Sequence, residues 1–472
     1  MHEQPRWSKW SLLGLLGGVV WISLATSHGG LVSIPLWVVG SALLASGFSQ
    51  LVWPGDTRIT QTGAIAGAIG AILALPYSFA LGFGGFLLLS ATALASAWGA
   101  ARMAFQLEPR YEGVPAATPS LGLVAKVAVD ELILGFEQWG AAGFSLDGTV
   151  ERVIDEVDRT HALFATEGFL EKPAAYHLPP PDLVDPEICR KEIGRHSVEI
   201  LRFESGYAPA DGEPGRERWM SYDPCRDGWA YVLRHDLPLD GGAARPFMIC
   251  TNGYRMGHAR LDVGLFERFF TQIGADLVIP VLPLHGPRRL GWHSGSGFLG
   301  IDVIDTLHAE AQAIWDMRRI LSWVRTQEPS AIGAFGLSLG GYTTALFSCL
   351  AEGLSCAVAG IPLTDIPRMI FRHGATHQME YAEHVGLDFD RVEELLRVVS
   401  PLALEPNVPL EGRMIFGATA DRLVTPDQVH DLWRHWQEPE IVWYEGTHVS
   451  FMNETDVWAG VDRTLRENGI VV

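Results

Sequence analysis

A serine flanked by glycines is the first feature of this sequence that could do chemistry. The pattern G-x-S-x-G occurs at 336–340, centred on Ser338. An apolar run at 331–335 leads directly into it, and a segment of helical character at 342–350 follows. A strand, a sharp turn and a helix in this order hold a serine on a strained elbow with its hydroxyl exposed. We therefore predict that Ser338 is a nucleophile, the alternative being a simple glycine-rich turn.

A serine hydroxyl is a weak nucleophile, so it needs a general base, and the base needs an acid that fixes its tautomer. Asp421 follows the strand-like segment 413–416, and His448 follows the strand-like segment 441–444. Both come after the serine, in the order acid and then base that accompanies a G-x-S-x-G elbow. We predict His448 as the base and Asp421 as its acid. The alternatives are Asp365 as the acid, a helix-capping role for Asp421 and a surface position for His448.

The elements that must position these residues alternate between strands and helices from His196 onward. The predicted strands are 196–203, 228–235, 246–250, 276–282, 331–335, 356–360, 413–416 and 441–444, and the predicted helices are 303–327, one from 340, and 426–436. Such alternation predicts an α/β fold with a mainly parallel sheet covered by helices on both faces. Chemistry in such sheets collects at the carboxyl ends of the strands.

The three segments at Ser338, Asp421 and His448 resemble the α/β-hydrolase superfamily over about residues 196–470. The resemblance is to the esterase (lipase-like), dienelactone-hydrolase and acyl-peptidase branches, and to abhydrolase domain-containing proteins. It implies an oxyanion hole of two backbone N–H groups, which we place at Leu339 and, by position after the strand 246–250, at Tyr254. The chain departs from the family at 251–254, where Thr-Asn-Gly-Tyr stands in place of the usual His-Gly pair.

The loop after the strand at 276–282 carries candidate substrate contacts. His285, Arg288 and Arg289 could meet an anionic group of the substrate, although arginines are more often surface residues. The segment 364–407 is longer than one connection requires, and its apolar residues could form a lid or simply pack.

The front of the chain is predicted to be a membrane module at 1–105. No charged residue lies between Lys9 and Asp56, or between Arg58 and Arg102, and each gap is about twice a bilayer span. Turn signals divide each gap, which predicts four transmembrane helices at about 10–27, 31–53, 61–80 and 83–104. Gly63 and Gly67 give the third helix a small-residue face on which a neighbour can pack closely.

Basic residues set the orientation of this module. In the four-span arrangement all the basic residues near the spans lie on one side of the membrane; they are Arg6, Lys9, Arg58, Arg102 and Arg110. This asymmetry predicts a bacterial-type inner-membrane protein with a cytoplasmic catalytic domain. A cleaved signal peptide at 1–28 is the competing interpretation. Within the spans the only acidic or basic side chain is Arg102, near the end of the fourth, which favours an anchor over a transporter. Residues 106–195 are predicted to be a linker and a helical segment ahead of the catalytic domain, 196–472.

Composition excludes other functions. The chain has 35 Lys and Arg against 55 Asp and Glu, a net charge of −20, which repels phosphate backbones and disfavours nucleic-acid binding. Its five cysteines form no CxxC pair, which suits a reducing compartment and disfavours a structural zinc site. No dinucleotide fingerprint, P-loop or metal-ligand cluster occurs, so we expect no cofactor.

These observations predict a membrane-anchored serine hydrolase that cleaves an ester, with a lipid ester or another acyl ester as the first choice of substrate. A peptidase or an acyltransferase with the same triad is the alternative within the enzyme class. A non-catalytic membrane scaffold that keeps a hydrolase-like fold is the alternative from another class. The oligomeric state does not follow from the sequence.

Overall fold

A computed structural model of the 472-residue chain describes residues 8–54, 56–141, 149–236, 239, 243–374 and 376–471. Contacts between Cα atoms divide it into two compact units. The first unit contains the described residues of Met1–Phe144, Ala418–Pro426 and Tyr444–Asn453, and the second contains those of Ser145–Gly417, Asp427–Trp443 and Glu454–Val472. Arg6, part of the orientation argument, lies outside the described residues.

The first unit is helical, and small residues let its helices approach closely. Its helices are α1 (Ser11–Ser27), α2 (Ser33–Val52), α3 (Thr57–Leu73), α4 (Tyr77–Ala80), α5 (Gly82–Leu107) and α6 (Leu121–Ala141). A Cβ atom on Gly63 would lie 3.1 Å from the Cβ of Ala100, and one on Gly67 would lie 2.6 Å from the carbonyl oxygen of Ala93. Gly63 and Gly67 therefore form the close-packing face predicted for the third helix, and α5 lies on it.

Two segments of the first unit, rather than four, are long and apolar enough to cross a membrane. Among the described residues these are Gly30–Val52 and Gly82–Leu107, judged by length and composition only. Helices α1 and α3 have 17 residues each, which gives about 26 Å at the α-helical rise and falls short of the roughly 30 Å hydrocarbon core of a bilayer. The prediction of four transmembrane helices is corrected to two candidates.

The second unit is built on a nine-stranded sheet of order β1-β2-β3-β5-β4-β6-β7-β8-β9. Its strands are β1 (Glu187–Ile193), β2 (His196–Glu204), β3 (Asp227–Leu233), β4 (Phe247–Thr251), β5 (Asp276–Val281), β6 (Ile332–Leu337), β7 (Cys356–Gly360), β8 (Arg413–Ala418) and β9 (Glu440–Tyr444). Pairing is antiparallel from β1 to β3 and between β3 and β5, and parallel among β5, β4, β6, β7 and β8. The predicted mainly parallel α/β architecture is confirmed.

Helices cover this sheet, as the alternation of elements predicts. They are α7 (Thr149–Glu167), α8 (Arg216–Met220), α9 (Ala259–Thr271), α10 (Val303–Arg325), α11 (Leu339–Leu350), α12 (Ile366–His373), α13 (Thr376–His384), α14 (Phe389–Leu396), α15 (Pro426–His435) and α16 (Thr455–Glu467). Every residue of β6 is buried, as expected for a strand with both faces covered. On one side of β6 the ring of Phe335 lies 4.8 Å from that of Phe269 on α9.

Candidate active site

Ser338 stands at a sharp turn between a buried strand and a helix. It directly follows β6, and it is the N-cap residue of α11 with φ 58° and ψ −119°. A non-glycine residue in this region of backbone space is strained, and surrounding contacts must hold it there. Its N–H donates to the carbonyl oxygen of Gly360 at 2.9 Å, and its own carbonyl oxygen accepts from Leu363 at 3.2 Å. Ser338 remains partly exposed.

The glycines on either side of Ser338 lie so close to neighbouring backbone that no side chain would fit there. A Cβ atom on Gly336 would lie 2.0 Å from the carbonyl oxygen of Gly340, and one on Gly340 would lie 2.2 Å from the carbonyl oxygen of Thr251 on β4. Both contacts are with backbone atoms, which cannot turn away as a side chain would. The motif is thus required for the tight crossing of strand and helix at Ser338.

The loop after β4 lies beside Ser338, where the oxyanion hole was predicted. A Cβ atom on Gly253 would lie 3.5 Å from the Cβ of Ser338. The guanidinium of Arg255 lies over the ring of Tyr254, 4.6 Å from its centre. Leu339 is the first residue of α11, so its N–H is one of the donors that a helix start leaves without an intrahelical acceptor. Leu339 therefore lies at the turn that carries Ser338, and Tyr254 lies in the loop beside that turn; their role as an oxyanion hole stays a prediction.

His285 is buried next to the same loop. Its Nδ1 lies 2.9 Å from the carbonyl oxygen of Pro283, to which a neutral ring donates. Burial lowers the pKa of His285 to about 4, so the ring is neutral at physiological pH. The ring centre lies 6.1 Å from that of Tyr254 in an edge-to-face arrangement. The ring of His285 is therefore uncharged at physiological pH, and its contact with substrate stays a prediction.

Arg288 and Arg289 occupy different environments. The side chain of Arg288 is 0% exposed and forms an ion pair with Asp316 on α10 at 2.8 Å, and it also donates to the carbonyl oxygens of Val281 and Cys225. Arg289 is exposed and donates to the carbonyl oxygen of Gly286. Arg288 is therefore held inside the fold by protein groups, and its contact with substrate stays a prediction.

Replacement of these two arginines is expected to separate their roles. Arg288→Ala leaves Asp316 buried without its partner, which should cost about 3–5 kcal/mol of unfolding free energy. Arg289→Ala removes an exposed side chain and should change stability by no more than about 0.5 kcal/mol. Chemical denaturation of both variants measures the difference. Equal effects would contradict the buried ion pair.

Asp421 and His448 are in direct contact within the first unit. The Asp421 Oδ2 atom lies 2.7 Å from Nδ1 of His448. Its Oδ1 atom accepts the N–H groups of Leu423 and Val424, each at 2.9 Å, which fixes the carboxylate in its loop. With Nδ1 bonded to a carboxylate, the imidazole keeps its lone pair on Nε2, as a general base requires.

The charges around His448 favour its protonated form. Burial opposes a charged imidazolium, but the carboxylates of Asp421 and Asp130 more than offset it, so the pKa of His448 is raised above its ordinary value. Asp130 comes from α6, and sequence reasoning missed it. The available signal was a pair of adjacent acidic residues, Asp130 and Glu131, inside an otherwise apolar helical pattern.

Asp365, the rival acid, has a structural role in the second unit. Its side chain accepts the N–H of Arg368 at 2.9 Å and thereby caps α12. It also forms an ion pair with the side chain of Arg368 at 3.1 Å. These contacts explain the aspartate without a catalytic function.

The segment 364–407 contains α12, α13 and α14, whose apolar side chains line a small open depression together with Ile301 and Val303. Phe371, Met379 and Phe389 are among its lining residues. The segment begins just after Leu363, whose N–H donates to the carbonyl oxygen of Ser338.

Within the part of the chain that the structure describes, no group of three or more His, Cys, Asp or Glu side chains is placed to hold a metal ion.

Several solved structures are similar to this chain at low sequence identity. The acetyl xylan esterase from Paenibacillus sp. R4 has a TM-score of 0.45 and 13% identity over 62% of this chain and 92% of its own. Acetyl xylan esterase 1 from Thermoanaerobacterium sp. JW/SL YS485 has a TM-score of 0.43 and 14% identity over 62% and 97%. Est1E from Butyrivibrio proteoclasticus has a TM-score of 0.36 and 12% identity over 60% and 98%.

Two curated proteins are much more similar in sequence, whereas no protein-family model matches the chain. Uncharacterized protein MT2702 of Mycobacterium tuberculosis (strain CDC 1551 / Oshkosh) and uncharacterized protein Rv2627c of Mycobacterium tuberculosis (strain ATCC 25618 / H37Rv) are each 39% identical over 363 residues. The match covers 76% of this chain and 85% of each relative. This similarity over most of both lengths shows that the chain belongs to the same family as MT2702 and Rv2627c of Mycobacterium tuberculosis.

Proposed function

We propose that this protein is a serine hydrolase of the α/β-hydrolase type that cleaves carboxylic esters, with 196–472 as its catalytic domain. The observation that carries the proposal is the backbone of Ser338, which has φ 58° between β6 and α11, where a Cβ atom on Gly336 or Gly340 would clash with backbone oxygens. A strained turn that presents a hydroxyl is the feature by which such hydrolases expose their nucleophile. The contact of Asp421 with His448 supports the proposal independently, because it supplies an oriented base.

In the proposed reaction the Ser338 hydroxyl attacks the acyl carbonyl while Nε2 of His448 takes its proton. Asp421 holds the imidazole by Nδ1 and stabilises the imidazolium that forms. The N–H groups of Leu339 and Tyr254 stabilise the oxyanion of the tetrahedral intermediate. The intermediate then releases the alcohol, which takes the proton from His448, and leaves an acyl group on Ser338. Water then attacks this ester while Nε2 of His448 takes its proton, and the carboxylic acid leaves as His448 returns the proton to the Ser338 oxygen.

An apolar acyl ester, such as a lipid ester, is the substrate class we favour. The depression lined by Phe371, Met379 and Phe389 is apolar, and these side chains can contact the hydrocarbon part of such a substrate. The segment that forms it begins beside Ser338, since Leu363 bonds the serine carbonyl oxygen. Arg289, exposed on the loop after β5, is a candidate contact for a polar part of the substrate.

Attachment to a membrane is part of the proposal. Two helical segments of sufficient length and apolar character support it, as do strongly exposed apolar side chains in the first unit, such as Leu31, Phe79 and Phe83. A surface with many large, exposed apolar side chains is typical of a region that contacts lipid or another protein. We propose that the catalytic domain is cytoplasmic, because with these two segments as spans Arg6, Lys9 and Arg110 lie on its side of the membrane and Arg58 lies on the other.

A fluorophosphonate probe tests the proposal on the detergent-solubilised full-length protein. We expect the wild type to be labelled and Ser338→Ala to be unlabelled, because the probe reacts only with an activated serine. Ser348→Ala is the matched control. Ser348 lies buried on the same helix, where its hydroxyl bonds the carbonyl oxygen of Ala345, and its replacement should leave labelling intact. A folded wild type that is never labelled would support the non-catalytic scaffold instead.

A further inference from the structure

Two carboxylic acids are buried side by side on α6. Asp130 and Glu131 are each 0% exposed, in a helix whose other buried residues are apolar or glycine. Burying a carboxylate is costly unless it is paired or hydrogen-bonded. Each of the two must therefore be held by specific partners, and most of these partners lie in the loops that carry Asp421 and His448.

A single oxygen of Asp130 holds the backbone of both loops. Its Oδ2 atom accepts the N–H of Arg422, the residue next to Asp421, at 3.1 Å, and the N–H of His448 itself at 3.2 Å. The acid and the base are thus joined twice, once through their own side chains and once through Asp130. Because two loops bonded to one fixed atom cannot separate freely, Asp130 restricts the geometry of the Asp421–His448 pair.

Glu131 connects the loop that carries Asp421 (the acid loop; the loop that carries His448 is the base loop) to the helices of the first unit. Its carboxylate accepts from Nε of Arg422 at 3.0 Å and from the hydroxyl of Thr60 on α3 at 2.6 Å. Arg422 also forms an ion pair with Glu108, just after α5. Ala420 packs with Leu123, Val124 and Val127 of α6 in one apolar cluster.

The charges that face Asp130 come from every side of this cluster. Asp421 and His448 face it from the loops. The Arg422 guanidinium lies between the carboxylates of Glu131 and Glu108. Lys126 lies one turn earlier on α6. Burial, and then the repulsion of Asp421, raise the pKa of Asp130 to about 7, against the opposing effect of His448 and of the two backbone N–H groups. The other oxygen, Oδ1, has no hydrogen-bond partner among the described residues.

We propose that Asp130 is a positioning residue of the hydrolase: it ties the acid loop to the base loop from helix α6 and adds a second carboxylate beside His448. This inference rests on the proposed function, in which His448 is the general base. The helical front of the chain then contributes to catalysis and is more than an anchor. The two effects of Asp130, geometric and electrostatic, can be separated by substitution.

Asp130→Asn keeps an oxygen that can accept both N–H groups but removes the charge. We expect kcat to stay within about tenfold of the wild type, and the acidic limb of the pH profile of kcat/KM to move to lower pH. The sign follows because the Asp130 carboxylate stabilises the imidazolium, so its loss lowers the pKa of His448. Asp130→Ala removes both effects and should lower kcat about 100-fold, the order of loss that a displaced catalytic group causes.

Glu137→Gln is the matched control, because it removes the same charge from the same helix about two turns away. It should leave both kcat and the pH profile unchanged. Wild-type kcat and an unshifted pH profile in both Asp130 variants would overturn the proposal. If Asp130→Ala does not fold, the pH profile of Asp130→Asn alone decides.

A measurement without turnover keeps this inference distinct from the proposed function. In protein labelled with ¹⁵N-histidine, with the signal assigned by its absence in His448→Gln, the pKa of His448 can be titrated in the wild type and in Asp130→Asn. A lower pKa in the variant supports the role of Asp130 even if Ser338 proves unreactive toward the probe. An unchanged pKa refutes that role even if Ser338 is labelled.

Discussion

Asp421→Asn is expected to lower kcat for ester hydrolysis about 10⁴-fold, the loss that follows when an Asn replaces the acid of a Ser-His-Asp triad. The asparagine oxygen can still accept the N–H groups of Leu423 and Val424, so the loop should keep its shape. The amide NH₂ then points at Nδ1 of His448, 2.7 Å from the present carboxylate oxygen. A donor at Nδ1 selects the tautomer with its proton on Nε2, which cannot accept the proton of Ser338.

Asp365→Asn is the control that tests the rival acid. Asparagine caps helices about as well as aspartate, so the N-cap bond to Arg368 should survive and kcat should change little. Both variants are assayed with a short-chain ester after thermal unfolding has shown that they fold. Activity lost in Asp365→Asn and kept in Asp421→Asn would reverse the assignment of the acid.

Local sequence was sufficient for features that depend on neighbours along the chain. The elbow at Ser338 needs only an apolar strand, two glycines and a helix, all within 331–350, and the structure places β6 and α11 there. Asp421 and His448 each follow a strand end, and their contact could be expected from the chain order. The catalytic roles of all three residues stay predictions.

Features that depend on distant partners could not be predicted. Asp130 bonds the N–H of His448 across 318 positions of sequence, and no local pattern indicates such a contact. Arg288 resembled a surface arginine until its partner, Asp316 on α10, was known. Strand β1 was missed because nearly all of its residues are exposed, so it lacks the alternation of apolar and polar residues by which strands are recognised.

The membrane module shows a third limit. Charge-free length predicted four spans, but a span also needs an uninterrupted helix of about 20 residues. Helix α3 begins with Thr57, Arg58 and Thr60, and it ends at Leu73, before Pro76. Proline disfavours a helical conformation in the residue that precedes it. The second apolar stretch therefore yields one candidate span instead of two.

Gly340→Ala is expected to destroy the elbow and, with it, the reactivity of Ser338. The added Cβ atom would lie 2.2 Å from the carbonyl oxygen of Thr251 and 2.5 Å from that of Asn252, so α11 and the loop after β4 must move apart. Overpacking of this kind costs on the order of 3 kcal/mol of unfolding free energy. Movement of the loop also displaces Gly253, which lies beside Ser338. Fluorophosphonate labelling should therefore be lost even in molecules that remain folded.

Alanine substitutions at two other glycines test whether the effect follows the closeness of the contact and is not a general response to alanine. A Cβ atom on Gly341 would lie 3.0 Å from Pro362, so Gly341→Ala should be milder than Gly340→Ala. Gly264 lies on α9 with nothing within 4 Å of its Cβ position, and Gly264→Ala should stabilise the protein by about 0.5–1 kcal/mol through helix propensity. Chemical denaturation and probe labelling of the three variants give the order of the effects. Normal stability and labelling of Gly340→Ala would mean that strand, serine and helix do not cross as tightly as the elbow requires, and the case for Ser338 as a nucleophile would lose its main support.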